Sequence, residues 1–440
     1  MEDKKFFSAL KAGTGSFLDA AANVNETFYL VLLVLYELLF MILKTAWNPD
    51  YGQYEQMVRY GILSLVMWGS AIYLFYVIAG WLKLWDNTFA LLLTAACILT
   101  ITYFFTKNMS TNLCGAVMDI FFIVMACGKD YKKILKCILG VVSGMLVIAG
   151  LGTVAGFTLD LVKPGNINPG HSLGIEYPNS WGYLVFLVLL IVWYLYLQSK
   201  PVITCILFWA VSAFMMFYIY CRTIAFLGAA FPVFALILYL IERKTARSTV
   251  TEEEVHPEEE TGSEEVAAGD GTAEVKKPNV TFLQGFLTAI PFLAFAFMLI
   301  VSMNYEWVHD HLYYTWFHNF AMRFVQSGLY FRTYGFPLVG NPYDSTVNTY
   351  VNVNGDFLEV GILDSSFAAY LIMRGLIWLI FILLWLSAAH YKALKKKDYG
   401  IILISTFILF FAMLERPGLE AGYNFVLFYT LAKVDEHIRQ

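Results

Sequence analysis

The sequence predicts an all-α protein that crosses a bilayer about twelve times, and three observations carry that expectation. Of its 440 residues 59% are hydrophobic. Only 14% are charged, against roughly 25% in a soluble domain, so a water-soluble globule would have too little polar surface. Apolar runs of about 20 residues, the length that crosses a ~30 Å hydrocarbon layer as a helix, recur along nearly the whole chain.

The expected spans are 27–45, 59–82, 88–106, 111–127, 134–157, 182–198, 201–220, 222–241, 281–303, 366–389, 399–414 and 417–433. The run from Pro201 to Leu240 is too long for one helix, so a tight turn at Tyr220, Cys221 and Arg222 divides it. The polar, amphipathic start of the chain and the lack of a small-residue cleavage site after the first apolar run argue that this run stays as a span. None of the six cysteines lies in the two long polar outer segments, so no disulfide framework is expected.

Lysine and arginine set the orientation, because short loops rich in them stay on the cytoplasmic side. With both termini inside, 20 of the 29 basic residues fall in inside segments, among them Lys129, Lys132, Lys133 and Lys136, and Lys392, Lys395, Lys396 and Lys397. Three units follow: membrane helices in 1–241, a cytoplasmic linker at 242–280, and membrane helices in 281–440. About a third of the 34 acidic residues lie in the linker, which has too little apolar surface to offset its ordering entropy and reads as a disordered tether. The rest of the chain is near neutral, which argues against a nucleic-acid partner. Two segments face outward: 158–181, and 304–365, which is rich in Tyr, Asn, Asp and Gly and carries short interfacial helices. No internal repeat of the kind many transporters carry is visible.

Ionisable groups near the outer ends of spans are costly to place there, and four clusters stand out. The first runs from Gly170 to Gly182, where His171, Ser172 and Asn179 offer hydrogen bonds to a hydroxylated ligand or simply shape a capped interfacial loop. In the second, Arg222 in Tyr220-Cys221-Arg222-Thr223 either snorkels to the interface or grips a phosphate. The third places Arg323 and Arg332 among aromatics, with Tyr334 in the following Tyr-Gly stretch; aromatic faces stack on sugar rings and arginines hold pyrophosphate, while an aromatic membrane belt has the same composition. In the fourth, Asp364 precedes a span as a helix cap or as a general base toward an external hydroxyl. His309, His311 and His318 match no strong metal-ligand spacing, and no metal site is expected. Asp50 and Glu55 form a further acidic pair in the first outer loop.

Taken in order, these clusters resemble the repeat-unit polymerases of bacterial O-antigen and capsule synthesis, the Wzy type, and more distantly the O-antigen ligases. The resemblance rests on the Ser-Leu-Gly…Pro-Asn turn from Ser172 to Asn179 and on Arg-Thr-x-x-Leu from Arg222 to Leu227. It continues through Arg323, Tyr-Gly-x-x-Leu-x-Gly from Tyr334 to Gly340, Leu-Asp-Ser-Ser…Arg-Gly-Leu-Ile from Leu363 to Ile377, and the closing pair Glu415…Asn424. It covers about 165–433. The resemblance implies a glycosyltransferase on the outer face of the bacterial cytoplasmic membrane. Its donor would be a growing chain on undecaprenyl pyrophosphate and its acceptor one lipid-linked repeat unit, with no nucleotide sugar, cofactor or metal. It implies membrane lipids, a flippase and a chain-length regulator as partners. Arg222 and Arg323 would stabilise the pyrophosphate, Asp364 would act as base, and His171, Ser172, Asn179, Arg332 and Tyr334 would bind substrate. The chain departs from the pattern at Gly170-His171, where such polymerases often carry arginine, and at Asp364, where the ligases place histidine. The competing expectation is a transporter or flippase of the same lipid-linked sugars, with its binding residues near the bilayer midplane. An unrelated membrane glycosyltransferase, the third class considered beside membrane acyltransferases, would instead depend on Asp50 or Glu55.

Overall fold

The computed structural model of the chain describes residues 17–82, 112–161, 171–175, 177–253, 280–312, 315, 318–340, 349–353, 356–360 and 363–434. The expected span 88–106 and most of the acidic linker lie outside them. Among the described residues, eight helices are each long and apolar enough to cross a membrane, which is the make-up of a polytopic membrane protein. The long helices expected from hydropathy are present as α1 Glu26–Lys44, α2 Gly52–Trp81, α4 Tyr131–Ala155, α5 Pro178–Val192, α6 Pro201–Phe214 and α7 Arg222–Glu253, with α3 Asn112–Met125 between α2 and α4. The C-terminal part adds α8 Val280–Met303, α9 Tyr305–Leu312, α10 His318–Tyr334, α11 Ser366–Ala369, α12 Leu376–Lys395, α13 Tyr399–Leu414 and α14 Val426–Tyr429. A two-stranded antiparallel hairpin, β1 Thr349–Val353 with β2 Asp356–Val360, lies between α10 and α11.

Several boundaries differ from expectation. The helix α3 ends at Met125, short of the expected limit at 127. The turn at Tyr220 divides α6 from α7 as expected, Tyr220 taking a left-handed φ of 62°, but α7 then runs to Glu253, into the segment read as linker. Its extension is built from Glu, Arg, Lys, Thr and Ala, several of them strong helix formers.

The span expected at 366–389 is broken. A wide π turn at Tyr370–Arg374 ends at Gly375, with φ 93°, before α12 begins. The freed amides of Leu376 and Ile377 donate to the carbonyls of Pro337 and Leu338, so the Tyr-Gly-Phe-Pro loop after α10 plugs the break.

The last expected span, 417–433, is not a continuous helix: a 3-10 turn at Arg416–Leu419 and the four-residue α14 are its only helical pieces. Irregular backbone at membrane depth is tolerated only when buried in protein with its polar groups satisfied. Here distant side chains supply the donors. Tyr370 OH reaches Leu419 O, Tyr183 OH reaches Tyr423 O, Tyr131 OH reaches Phe425 O and Trp385 Nε1 reaches Leu427 O, at 2.5–3.3 Å. At its far end Lys392 Nζ donates to the carbonyls of Tyr429, Thr430 and Ala432, and Lys396 Nζ to that of Val434.

This buried segment, α5 and α13 form the centre: 56% of the Pro178–Leu197 window is buried, against 22% for Phe282–Met303 at the periphery. Lys129, Lys392, Lys396 and Lys433 gather at one end of the bundle, where the Asp130 and Lys433 backbones pair. At the opposite end, the end that carries the polar clusters, Thr45 pairs with Ile175 and Trp47 with Thr158.

Candidate functional site

Five segments far apart in sequence deliver one polar side chain each to the end of the bundle opposite the lysines. Arg323 sits in the first half of α10, and its Nη1 makes a close ion pair with Asp364 Oδ2. The Nη2 of Arg323 lies 3.5 Å from Glu415 Oε1, just past the end of α13. Asn179, in the first turn of α5, donates from Nδ2 to the same Oε1 at 3.1 Å, and the hydroxyl of Thr223, at the start of α7, donates to it at 3.5 Å. All three contacts fall on one carboxylate oxygen. The Arg323 and Asp364 side chains are 20% and 18% exposed and that of Glu415 is 7%, so the first two open to the outside and Glu415 forms the floor.

Local sequence accounts for each placement. Pro178 occupies the first helical position of α5, where a missing N–H costs nothing, and this sets Asn179 one residue inside the helix instead of at its cap. The cap position of α11 is Ser365, so the carboxylate of Asp364 is directed to Arg323 and not to a helix end. Ser366 ties the two acidic segments together: its hydroxyl donates to the carbonyls of Glu415 and Arg416, and accepts from the Gly418 amide at 2.8 Å. A glycine at 328 lets α10 press against the end of α8, since a Cβ there would lie 2.1 Å from Ser302 O. That approach fixes the helix carrying Arg323.

The electrostatics are asymmetric. Burial pushes the Glu415 carboxyl up to about 7; Arg323 opposes this and the charge on Asp364 adds to it. Burial likewise disfavours the Arg323 cation, but Glu415 and Asp364 outweigh that and raise its pKa above the ordinary value.

The other expected residues are distributed around this centre. Arg222, adjacent to Thr223, is exposed, with its guanidinium 5.8 Å from the Tyr220 ring centre. His171 stacks on Tyr218 with ring centres 4.6 Å apart, and its Nδ1 lies 2.5 Å from Asp160 Oδ2. Ser172 is buried; its hydroxyl accepts from the Leu161 amide, and its own amide donates to Asp160. Burial would raise the Asp160 pKa, but the His171 hydrogen bond and the amides of Leu173 and Ser172 outweigh it and lower the pKa. Asp160 therefore organises this turn. Arg332, at the far end of α10, donates to Tyr305 OH at 2.7 Å and lies 3.8 Å from Glu306, and Tyr334 stacks on Tyr330. Neither of these contacts involves the Arg323 centre. Asp50 lies exposed in a 3-10 turn capped by Asn48.

A second polar centre, absent from the sequence-based site, lies deeper. Arg374 Nη1 donates to Asp119 Oδ2 at 2.8 Å, Tyr36 OH donates to Asp119 Oδ1 at 2.7 Å, and Arg374 Nη2 is 3.9 Å from Glu420. The available signal was an acidic residue inside an apolar run, which at membrane depth needs a partner. No protein-family model, no curated protein and no solved structure matches this chain.

Proposed function

We propose that this chain is a polysaccharide repeat-unit polymerase, a membrane glycosyltransferase joining lipid-linked repeat units at the outer face of a bacterial cytoplasmic membrane. The observation that carries it is the meeting of four sequence segments around Arg323, held between Asp364 and Glu415, with Asn179 and Thr223 closing on the second carboxylate. Such a centre suits transfer from an activated glycosyl pyrophosphate. The guanidinium stabilises charge on the departing pyrophosphate in a site of low dielectric, and a carboxylate takes the proton of the acceptor hydroxyl. Arg222 and Arg416, both exposed and each adjacent in sequence to a residue of the centre, extend the positive field toward a lipid pyrophosphate. No nucleotide sugar or metal enters this chemistry.

The proposed topology has twelve crossings with both termini cytoplasmic. It counts the eight long helices, Asn112–Met125, Tyr399–Leu414, the irregular 417–433 segment and residues 88–106. The lysine-rich end would face the cytoplasm, as the positive-inside bias requires.

The Asp119–Arg374 centre favours a second function, a transporter or flippase of the same lipid-linked sugars, because buried charge within spans often marks a pathway. Reconstitution separates the two. Protein in proteoliposomes should turn lipid-linked repeat units into a ladder of longer chains without added nucleotide sugar, and Arg323→Ala should slow this by about 10²–10³-fold. Movement of repeat units between leaflets at unchanged length would make the protein a flippase, and loss of chain growth on changing only Asp50 or Glu55 would move the chemistry to the first outer loop.

A further inference from the structure

Within the polymerase reading, on which this inference rests, two carboxylates compete for the role of proton acceptor, and their surroundings differ. Asp364 is committed to a close ion pair with Arg323, an arrangement that fixes the guanidinium and occupies the carboxylate. Glu415 receives its three contacts on Oε1, from Arg323, Asn179 and Thr223, which leaves Oε2 as the oxygen that can meet a substrate hydroxyl. Its backbone carbonyl accepts from the Ser366 hydroxyl, which fixes the point from which the carboxylate projects.

We propose that Glu415 is the general base of glycosyl transfer and that Asp364 is a positioning residue for Arg323. The acceptor hydroxyl oxygen attacks the anomeric carbon of the donor and its proton passes to Glu415 Oε2. The bond from that carbon to the pyrophosphate oxygen breaks, and the pyrophosphate keeps the electron pair. The products are a chain longer by one transfer and a free lipid pyrophosphate, so atoms and charge balance without another reactant.

The contacts give this transfer a direct electrostatic consequence. With both carboxylates ionised, the centre of Arg323, Asp364 and Glu415 carries a net charge of −1, which repels a pyrophosphate; once Glu415 holds the proton, the net charge is zero. Arg323 is then released from one of its two anions as negative charge develops on the leaving group, so its stabilisation is strongest in the transition state. Asp364 cannot substitute without giving up the ion pair that holds the guanidinium in place.

The groups facing Glu415 are Arg323 from α10, Asp364 ahead of α11, Asn179 from α5, and Cys221 and Thr223 from the turn into α7; on its own segment Arg416 follows it. Of these, Arg323 and Asp364 are the charged groups that act on it most strongly, and they act in opposite directions. The carboxyl is raised into the neutral range, so the active, unprotonated form grows as pH rises, and the rate should climb through about pH 7.

The test is the initial rate of chain growth in proteoliposomes from about pH 5.5 to about pH 8.5 for the wild type, Glu415→Gln, Glu415→Asp and Asp364→Asn. Expected are a rising limb near neutrality in the wild type, a loss of about 10²–10⁴-fold with no such limb in Glu415→Gln, and a displaced limb with partial activity in Glu415→Asp. Asp364→Asn should be slower but keep its limb. A wild-type rate that is flat across this range overturns the assignment without any variant, and so does a limb that survives Glu415→Gln but vanishes in Asp364→Asn. A wild type that grows chains at no pH removes the polymerase reading itself.

Discussion

Gly375 has φ 93°, and a methyl group there would come within 2.4 Å of both the Gly340 nitrogen and the Leu338 oxygen. Two backbones meet at this point, so Gly375→Ala combines steric overlap with a conformation that L-residues avoid. It should cost upward of about 1–3 kcal/mol in detergent unfolding, and a wild-type midpoint would show that the plug is dispensable. His390 illustrates a different logic. Pro291 inside α8 has no N–H to give the carbonyl four residues earlier, and the fully buried His390 donates from Nδ1 to that carbonyl, Leu287 O, at 2.8 Å. His390→Phe keeps the bulk and removes the donor, so a loss of about 0.6–2 kcal/mol is expected in the same assay. The proline was visible in the sequence, inside the expected span 281–303. Its partner, about a hundred residues away, was not, because no local pattern encodes who satisfies a freed carbonyl. The same holds in the candidate site: Arg323 and Asp364 stood out as costly charges near span ends, whereas Glu415, visible in the sequence only as one of a closing pair, joins them through its contacts with Asn179, Thr223 and Arg323.

Among the elements, the long helices followed their hydropathy closely, since apolar length alone decides whether a helix can span. The 415–434 segment did not. It is apolar enough to suggest a helix, yet Pro417, Gly418, Gly422 and Asn424 interrupt it, and the surrounding tyrosines, Trp385 and Lys392 provide what a helix would have supplied internally. Removing one such donor should therefore loosen the whole segment. Lys392→Met frees three buried or half-buried carbonyls at once and is expected to cost about 2 kcal/mol or more, seen as faster proteolysis near Tyr429–Val434. Trp385→Phe, which frees the Leu427 carbonyl alone, should cost less. Equal effects would mean that the segment is held by packing and not by these bonds.

For the molecule as a whole, the lysine-rich end and the Arg323 end lie on opposite sides of the bundle, and the proposed topology turns the first toward the cytoplasm. A cysteine in place of Glu306 should then react with a membrane-impermeant maleimide added outside intact cells. One in place of Lys133 should react only after permeabilisation, and the reverse pattern would sink both the topology and the outer-face chemistry. The sequence by itself determined that this chain belongs in a bilayer, roughly where its long apolar helices lie and which ionisable residues are costly near their ends, because hydropathy and charge are local properties summed along the chain. Only the tertiary structure decided which polar groups meet, where a helix gives way to irregular backbone, and that Arg323 stands between two unequal carboxylates. Those outcomes depend on contacts between segments separated by dozens to hundreds of residues, and on how far each contact is shielded from water.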